Sequence, residues 1–340
     1  MPISVLFVRK LTQKGVFKLL KYTARKLLAL IPKLLAILLV CFLLMELLPG
    51  DALSRTMDPM TYNDLTPAQR EAKKEEMGLN DPAYIRFFRW LFNVLKGDLG
   101  VSAVTGEKVF DILKVTMKYS IELTAWALVL SAIIGIIAGF LTAVFKNTIV
   151  DYTIGTVSII GISLPEFFFG LMFIIVFCLK WKTGLPSSGR MPPGNMDPTF
   201  WDRVPYMVLP IGCMTFGMVA GLQRYTRTTM LDVLNKDYIK TARSKGLNEV
   251  TVNVKHALRN STTPVMTLLI MRIPRLVGGS VVIEQVFGYY GIGDRMLKAT
   301  QASDFAVALI GTCMTGALTL LASTLVDLAT ALLDPRVRFE

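Results

Sequence analysis

Long apolar runs alternate with polar stretches along this chain, and six of the runs are long enough to cross a bilayer. Each holds about 20 to 29 residues with few charges, which is the length that an α-helix needs to span the hydrocarbon core. The pattern predicts an all-α integral membrane protein. Its six predicted spans are Leu27–Leu48, Tyr119–Phe145, Ile154–Cys178, Pro205–Tyr225, Pro264–Val286 and Phe305–Leu333.

The polar stretches divide the rest of the chain. A basic tail, residues 1–26, precedes the first span at 27–48, and a mixed-charge segment at 49–118 follows it. The first span is too long for the h-region of a signal peptide and no A-x-A-like site follows it, so we expect a retained helix. Residues 115–333 carry the other five spans, with a polar loop at 226–263, and residues 334–340 form a short tail.

Charge predicts the orientation. The chain carries a formal net charge of +12, and residues 1–33 contain eight Lys or Arg and no acid. Eight more basic residues lie between Arg224 and Arg259, whereas the segment from Gly50 to Lys118 balances ten basic residues against ten acidic ones. Because Lys and Arg favour the cytoplasmic side, both termini are predicted to be cytoplasmic. Bases beside spans are better explained by anionic lipid than by nucleic acid.

Several chemical functions find no support in the sequence. The four cysteines all lie inside apolar runs, where they are interpreted as small apolar residues rather than as disulfide partners or zinc ligands. A single histidine, His256, argues against a histidine-based metal centre. The chain has no GxxxxGK[ST] loop and no Gly-Lys dipeptide, so it is not expected to bind ATP itself.

The polar loop at 226–263 has the local pattern of two short helices. Asp237 starts a run of helix formers that Gly246 can end in the left-handed conformation, and Asn248 can cap a second run, "EVTVNVKHAL". Two capped helices would form a rigid knob. From spacing alone, a solvated loop with its basic face on the membrane is an equally good interpretation.

The same loop carries a resemblance. "MLDVLNKDYIKTARSKGLNEVTVNVKHALRNSTTPV" resembles the cytoplasmic EAA-type loop of ABC importer permeases, in which a pair of small residues precedes a glycine by four positions. Thr241 and Ala242 take the small positions and Gly246 the glycine, while Lys240 stands where many permeases have glutamate. The resemblance is to the B-subunit type of the oligopeptide, dipeptide and nickel permeases. Five further segments agree in order: "LLPGD", "GDLGVS", "LPSSGRM", "VFGYYGIG" and "LLDPRVR".

The resemblance implies an architecture and a set of partners. It implies the type I ABC importer transmembrane fold with six helices and an extracellular insertion between helices 1 and 2, in a bacterial or archaeal cell membrane. The expected partners are a homologous second permease, two cytoplasmic ATPase subunits that use ATP and Mg, an extracellular substrate-binding protein and membrane lipid. The residues expected to form the loop that couples the permease to an ATPase are Asp237, Tyr238, Thr241, Ala242, Gly246, Leu247 and His256.

Two segments are expected outside the cell. In the first, Thr66 followed by Pro67 marks a helix start and Gly78 its end. The second is the turn-rich stretch "LPSSGRMPPGNMDP" between the third and fourth predicted spans. Both fit a docking surface for a binding protein, and the alternative for the first is a small cap over the extracellular mouth.

Charges inside the predicted spans are costly in hydrocarbon and therefore informative. Arg272 and Arg275 stand three residues apart in the fifth predicted span. Three interpretations remain open: the pair lines the translocation path, it forms an internal ion pair with a glutamate, or the helix begins elsewhere. Glutamates near the ends of other spans can reach headgroup water.

Two classes of function are carried forward. The first is a permease subunit of an ATP-driven importer, taking up peptides or, with the same architecture, nickel complexes or oligosaccharides. The second is an autonomous channel or ion-coupled carrier, which would need its own coupling residues. Co-purification of ATPase subunits would distinguish them.

Overall fold

The protein is all-helical in the part of the chain that the structure, a computed structural model, describes: residues 13–47, 53, 59–195 and 198–333. The α-helices are Gln13–Leu47, Pro59–Asp64, Pro67–Glu76, Ala83–Leu95, Val109–Val144, Ile149–Ser163, Glu166–Phe173, Phe200–Leu234, Asp237–Ser244, Glu249–Thr251, Arg259–Ile270, Arg275–Gly278, Val281–Val286, Ile292–Gln301 and Phe305–Leu333. π-Helical segments occupy Ile174–Lys180 and Val252–Leu258. The predicted C-terminal tail, "LLPGD" beyond Leu47, and the first twelve residues lie outside the described residues.

Four helices within these ranges are long and apolar enough to cross a membrane: Thr23–Leu47, Val109–Val144, Phe200–Leu234 and Phe305–Leu328. They correspond to the first, second, fourth and sixth predicted spans. The third predicted span, Ile154–Cys178, is bent by 107° between Ile149–Ser163 and Glu166–Lys180. The bend falls at Leu164, whose extended backbone is the conformation that Pro165 imposes on the preceding residue.

The fifth predicted span, Pro264–Val286, is not one helix. Arg259–Ile270 ends in a turn, Arg275–Gly278 adds a single short helical segment, and Val281–Val286 follows a break at Gly279. Pro274 and the left-handed Gly279, with φ of 62°, explain the interruptions. The prediction of a continuous fifth helix was wrong, because it counted apolar residues and ignored these two helix breakers.

The chain divides into two compact units. The first contains the described residues of Met1–Ile112 and Ala299–Glu340, and its two long helices pack together. Lys26 Nζ donates to Asp327 2.7 Å away, joining these helices near one end. The sulfurs of Cys41 and Cys313 lie within bonding distance as a disulfide, with the Cα atoms 6.5 Å apart. The interpretation that no cysteine has a disulfide partner was therefore wrong for this pair, because sequence spacing does not show which helices are neighbours.

After the first spanning helix, residues 59–108 contain three short helices. Thr66 caps Pro67–Glu76 in a reciprocal capping box with Gln69, and Gly78 follows the helix with φ of 64°. The predicted start and end of this helix are thus confirmed. Its assignment to the extracellular side stays a prediction.

The second unit, Leu113–Lys298, has a core of apolar side chains from several helices. Phe169 packs edge-on against Phe216 with ring centroids 4.7 Å apart, and Leu123, Met207 and Phe287 are buried around them. Glu122, a glutamate near the start of the second predicted span, has an ionic partner, since Arg203 donates to it at 2.7 Å. This core fixes the helices that carry the two candidate sites described next.

Candidate functional site

The first candidate site is the polar knob, defined as Asp237–Leu258. Its first helix, Asp237–Ser244, ends at Gly246, which adopts a φ of 77°. The Gly246 amide donates to the carbonyl of Arg243 at 2.9 Å, so the chain turns sharply within two residues. A residue with a Cβ resists this backbone conformation, although no atom lies within 4 Å of where the Cβ would stand. The predicted helix end is confirmed.

Side-chain contacts lock the two arms of the knob together. The Asn248 side chain accepts from the amide of Thr251 at 2.8 Å, as expected for the cap of the second helix. Arg243 reaches across the turn and donates two hydrogen bonds to Glu249, at 2.9 and 3.1 Å. A planar guanidinium paired with a carboxylate in this way fixes an orientation as well as a distance. The two-helix interpretation holds over the solvated-loop alternative.

The knob is anchored to the second unit by its small and apolar residues. Ile239, Ala242, Val252 and Ala257 are buried in one cluster that includes Met230 of the Phe200–Leu234 helix. The motif's second small residue is Ala242, whose side chain faces this contact, so a larger side chain would push the knob away from the helices. The predicted loop boundaries shift accordingly: Phe200–Leu234 extends nine residues past the predicted end of its span at Tyr225.

The opposite surface of the knob is exposed and partly apolar. Tyr238, Leu247, Val250 and Val254 all expose large apolar side chains, and Val250 is 72% exposed. Lys240 pairs with Asp237 of the same helix turn, at 2.9 Å. Thr241 is also exposed, and its hydroxyl donates to the carbonyl of Asp237 at 3.0 Å. An exposed apolar surface on a rigid, anchored element is a candidate protein-docking surface.

His256 differs from the other predicted knob residues. It lies on the π-helical segment Val252–Leu258, is half-buried, and its carbonyl accepts from the side chain of Asn260 at 2.7 Å. The segment continues directly into Arg259–Ile270, so the second arm of the knob and the following helix form one uninterrupted rod. The knob is therefore joined to that helix without an intervening loop.

Sequence reasoning missed an ion pair near the knob. Arg227, on the helix that leads into it, donates to both carboxylate oxygens of Asp151 at 2.8 Å. Asp151 also accepts from the amide of Asn147 at 2.9 Å, which holds the tight turn between two helices. The signal in the sequence was an acid, Asp151, between the second and third predicted spans. Its partner lies 76 residues further on and could not be read from the pattern.

The second candidate site is a cavity of about 150 Å³ that contains both predicted pathway arginines. Its lining residues are Thr124, Leu128, Glu166, Gly217, Met218, Arg272, Arg275 and Leu276. Arg272 donates to the carbonyl of Met218 at 3.2 Å and lies 3.2 Å from where a Cβ on Gly221 would stand. Glycine at position 221 therefore leaves room for the guanidinium.

The arginine pair has no carboxylate partner at salt-bridge distance among the described residues. Arg275 is exposed at the start of Arg275–Gly278, and Arg272 lies in the turn before that helix. The two arginines are therefore brought together by the break in the helix, and they do not share one face of a continuous helix. Glu166, which also lines the cavity, accepts from the Ser280 hydroxyl at 3.4 Å. The cavity thus presents two guanidinium groups and one carboxylate to its contents.

The glycine-rich turn, defined as Gly279–Gly293, surrounds a buried carboxylate. Glu284 is fully buried, and it accepts from the Ser120 hydroxyl at 2.5 Å and from the Asp294 amide at 3.0 Å. Ser120 in turn accepts from the amide of Ile292 at 2.8 Å. A Cβ on Gly279, Gly291 or Gly293 would overlap Glu284. The segment "VFGYYGIG" therefore needs its glycines to let the backbone approach this side chain.

Comparison with known proteins identifies the chain's family. A family model described as "Binding-protein-dependent transport system inner membrane component" matches residues 133–339, which include the knob, the cavity arginines and the glycine-rich turn. The oligopeptide transport system permease protein AppB of Bacillus subtilis (strain 168) is 36% identical over 94% of this chain and 99% of its own length. The chain belongs to this family of permeases.

Other relatives extend the similarity along the whole permease. The dipeptide transport system permease protein DppB of Escherichia coli (strain K12) is 30% identical over 95% of this chain and all of its own length. The oligopeptide transport system permease protein OppB of Haemophilus influenzae is 32% identical over 94% of this chain and all of its own. The resemblance to B-subunit permeases of the peptide branch is confirmed, and the permease is a multi-pass membrane protein.

Proposed function

We propose that the permease is one membrane subunit of an ATP-driven importer that takes up peptides delivered by a substrate-binding protein. It forms the translocation path with a homologous second permease, and two cytoplasmic ATPase subunits supply ATP hydrolysis with Mg. Both termini are cytoplasmic in this proposal. The observation that carries it is the anchored knob in a chain whose relatives, over almost their full lengths, are named as oligopeptide and dipeptide permeases.

The knob supplies the coupling step. Tyr238 and Leu247 present apolar surface to an ATPase, while Ile239 and Ala242 hold the other side of the knob on the spanning helices. When the ATPase moves, a knob locked by Arg243 and Glu249 moves as a rigid body. Because its second arm continues into Arg259–Ile270, the displacement reaches the helix that precedes the cavity arginines.

The cavity contributes to the path of the peptide. Arg272 and Arg275 offer guanidinium groups to a peptide carboxylate, and Glu166 offers a carboxylate to an amino group. Both charges of a zwitterionic peptide thus meet complementary groups in one cavity. Contacts of this kind need only be weak, since a tightly held peptide would not leave.

The first experiment tests subunit composition. The permease is purified with an affinity tag from cells that express the whole importer, and co-purifying subunits are identified by mass spectrometry. We expect a second permease and two copies of ATPase per complex. A permease that purifies alone and transports peptide in ATP-free vesicles would support a channel or ion-coupled carrier instead.

The second experiment tests the arginines. Replacing Arg272 and Arg275 with glutamine should lower the transport rate per assembled complex for peptides with a free carboxylate, with a smaller effect on carboxyl-amidated peptides. Arg203→Gln is the matched control, because it removes an arginine whose partner is Glu122, at 2.7 Å, and which is not among the residues lining the cavity. An unchanged rate per complex together with a reduced yield would show that Arg272 and Arg275 are structural.

A further inference from the structure

The helix Ala83–Leu95 has three distinct faces, and one of them is an apolar face that nothing in the described part of the chain covers. Successive residues of a helix are rotated by about 100°. On that spacing, Phe87, Trp90, Leu91 and Val94 share an inward face, and Arg86, Arg89 and Asn93 share a polar face. The remaining face carries Tyr84, Ile85, Phe88, Phe92 and Leu95.

The inward face is packed against the first spanning helix. Phe42 contacts Phe87 with ring centroids 5.4 Å apart and Trp90 with centroids 5.8 Å apart. Arg86 donates to Glu46 at 2.5 Å. Glu46 lies one residue before the last residue of the spanning helix Thr23–Leu47. These contacts hold Ala83–Leu95 beside the Leu47 end of that candidate membrane span.

The polar face is occupied by groups that remain hydrated or internally paired. Arg89 donates to Asp81 at 2.6 Å and to the carbonyl of Gly78 at 3.0 Å. Directly after the helix, the ammonium of Lys96 lies 4.2 Å from the centre of the Phe92 ring. This cation–π contact places the Lys96 charge at the end of the helix, beside Phe92 of the exposed face.

The third face is strongly exposed. Tyr84 is 66% exposed, Phe88 65%, Phe92 58% and Leu95 74%. A continuous surface of aromatic and aliphatic side chains is rare on a water-facing surface and marks contact with a membrane or a partner. Polar, inward and exposed apolar faces on one helix are the arrangement of a helix that lies in the membrane interface.

We propose that Ala83–Leu95 is an interfacial helix whose exposed face is immersed in lipid, in the leaflet at the Leu47 end of the first spanning helix. Lipid is favoured over a protein partner because the Glu46–Arg86 pair sets the depth of the helix at the membrane boundary. The aromatic composition of the exposed face also suits that depth, where aromatic rings are enriched. This helix anchors the segment that follows the first span, and the inference is independent of the importer's cargo.

The experiment measures depth directly. All four native cysteines are replaced by alanine, one cysteine is introduced by Phe88→Cys or by Asn93→Cys, and each is spin-labelled in the complete complex in lipid nanodiscs. Collision rates with oxygen, which partitions into lipid, and with a water-soluble nickel chelate are then compared. Asn93 is the matched control because it lies on the polar face of the same helix.

At position 88 we expect the ratio of oxygen to nickel collisions to exceed that at position 93 several-fold. Equal ratios, with both labels open to the nickel chelate, would place the exposed face in water and overturn the proposal. A label at position 88 that is shielded from both reagents would show a protein partner on this face, which also overturns it. Assembly of each labelled complex is checked by size-exclusion chromatography.

Discussion

The polar knob and the glycine-rich turn both lie in the second unit, and a glycine in each is required for a different reason. Gly246 in the knob has a positive φ and open space around its missing Cβ. Gly291 in the turn is required because a Cβ there would overlap Glu284 and Ser120. One glycine is therefore fixed by backbone conformation and the other by close packing.

The charged side chains of the two segments differ in their exposure to solvent. Arg243 and Glu249 pair on the knob's surface, and both side chains are substantially exposed to solvent. Glu284 is completely buried and depends on hydrogen bonds from Ser120 and the Asp294 amide. A buried carboxylate that loses a protein hydrogen bond cannot replace it with a hydrogen bond to water. Substitutions in the glycine-rich turn should therefore reduce stability more than substitutions in the knob.

Removing the carboxylate should have the largest effect. Glu284→Ala leaves the Asp294 amide unsatisfied and opens a cavity, so we expect a loss of about 3 kcal/mol or more in the free energy of unfolding. The measurement is the yield and thermal stability of the assembled complex. Glu284→Gln, which retains shape and one acceptor oxygen, should lose clearly less. Equal losses for alanine and glutamine would show that the hydrogen bonds do not matter.

Adding a side chain beside the Glu284 carboxylate should have the second largest effect on stability. Gly291→Ala introduces a Cβ into atoms of Glu284 and Ser120, and overpacking of this kind costs about 1–3 kcal/mol. Gly155→Ala is the control, because Gly155 lies within the helix Ile149–Ser163 and has no atom within 4 Å of its Cβ position. Thermal unfolding of the two complexes should separate them. A Gly291→Ala complex as stable as the control would remove the close-packing argument.

Changing the knob glycine should affect stability least and coupling most. Gly246→Val forces a β-branched residue into positive φ, at a cost of about 1–2 kcal/mol, and should leave assembly intact. We expect ATP hydrolysis to continue while peptide transport falls, measured together in proteoliposomes. Gly246→Asn is the control, since asparagine tolerates this conformation and should preserve coupling. Transport at the wild-type rate by the valine variant would contradict the rigid-knob mechanism.

How far the sequence predicted the candidate sites depends on the range of the interactions. The ends of the knob helices were predictable, because Asn248 and Gly246 act on residues within a few positions. The partners of Glu284 and Asp151 were not, because Ser120 and Arg227 lie 164 and 76 positions away along the chain. No local pattern indicates which helices are neighbours.

The sequence by itself determined the apolar runs, the knob with its caps, and the family, because each depends on local composition or on a motif read in order. The tertiary structure decided the form of two predicted spans: the third is bent and the fifth is interrupted. A proline such as Pro165 or Pro274 can lie inside a continuous helix, so only the folded chain shows that the helices break beside these two. It also brought Glu166 into the same cavity as Arg272 and Arg275, and exposed the apolar face of Ala83–Leu95. The physical reason is that burial, ion pairing and exposure depend on contacts between segments that are far apart in the sequence, and only tertiary packing brings those segments together.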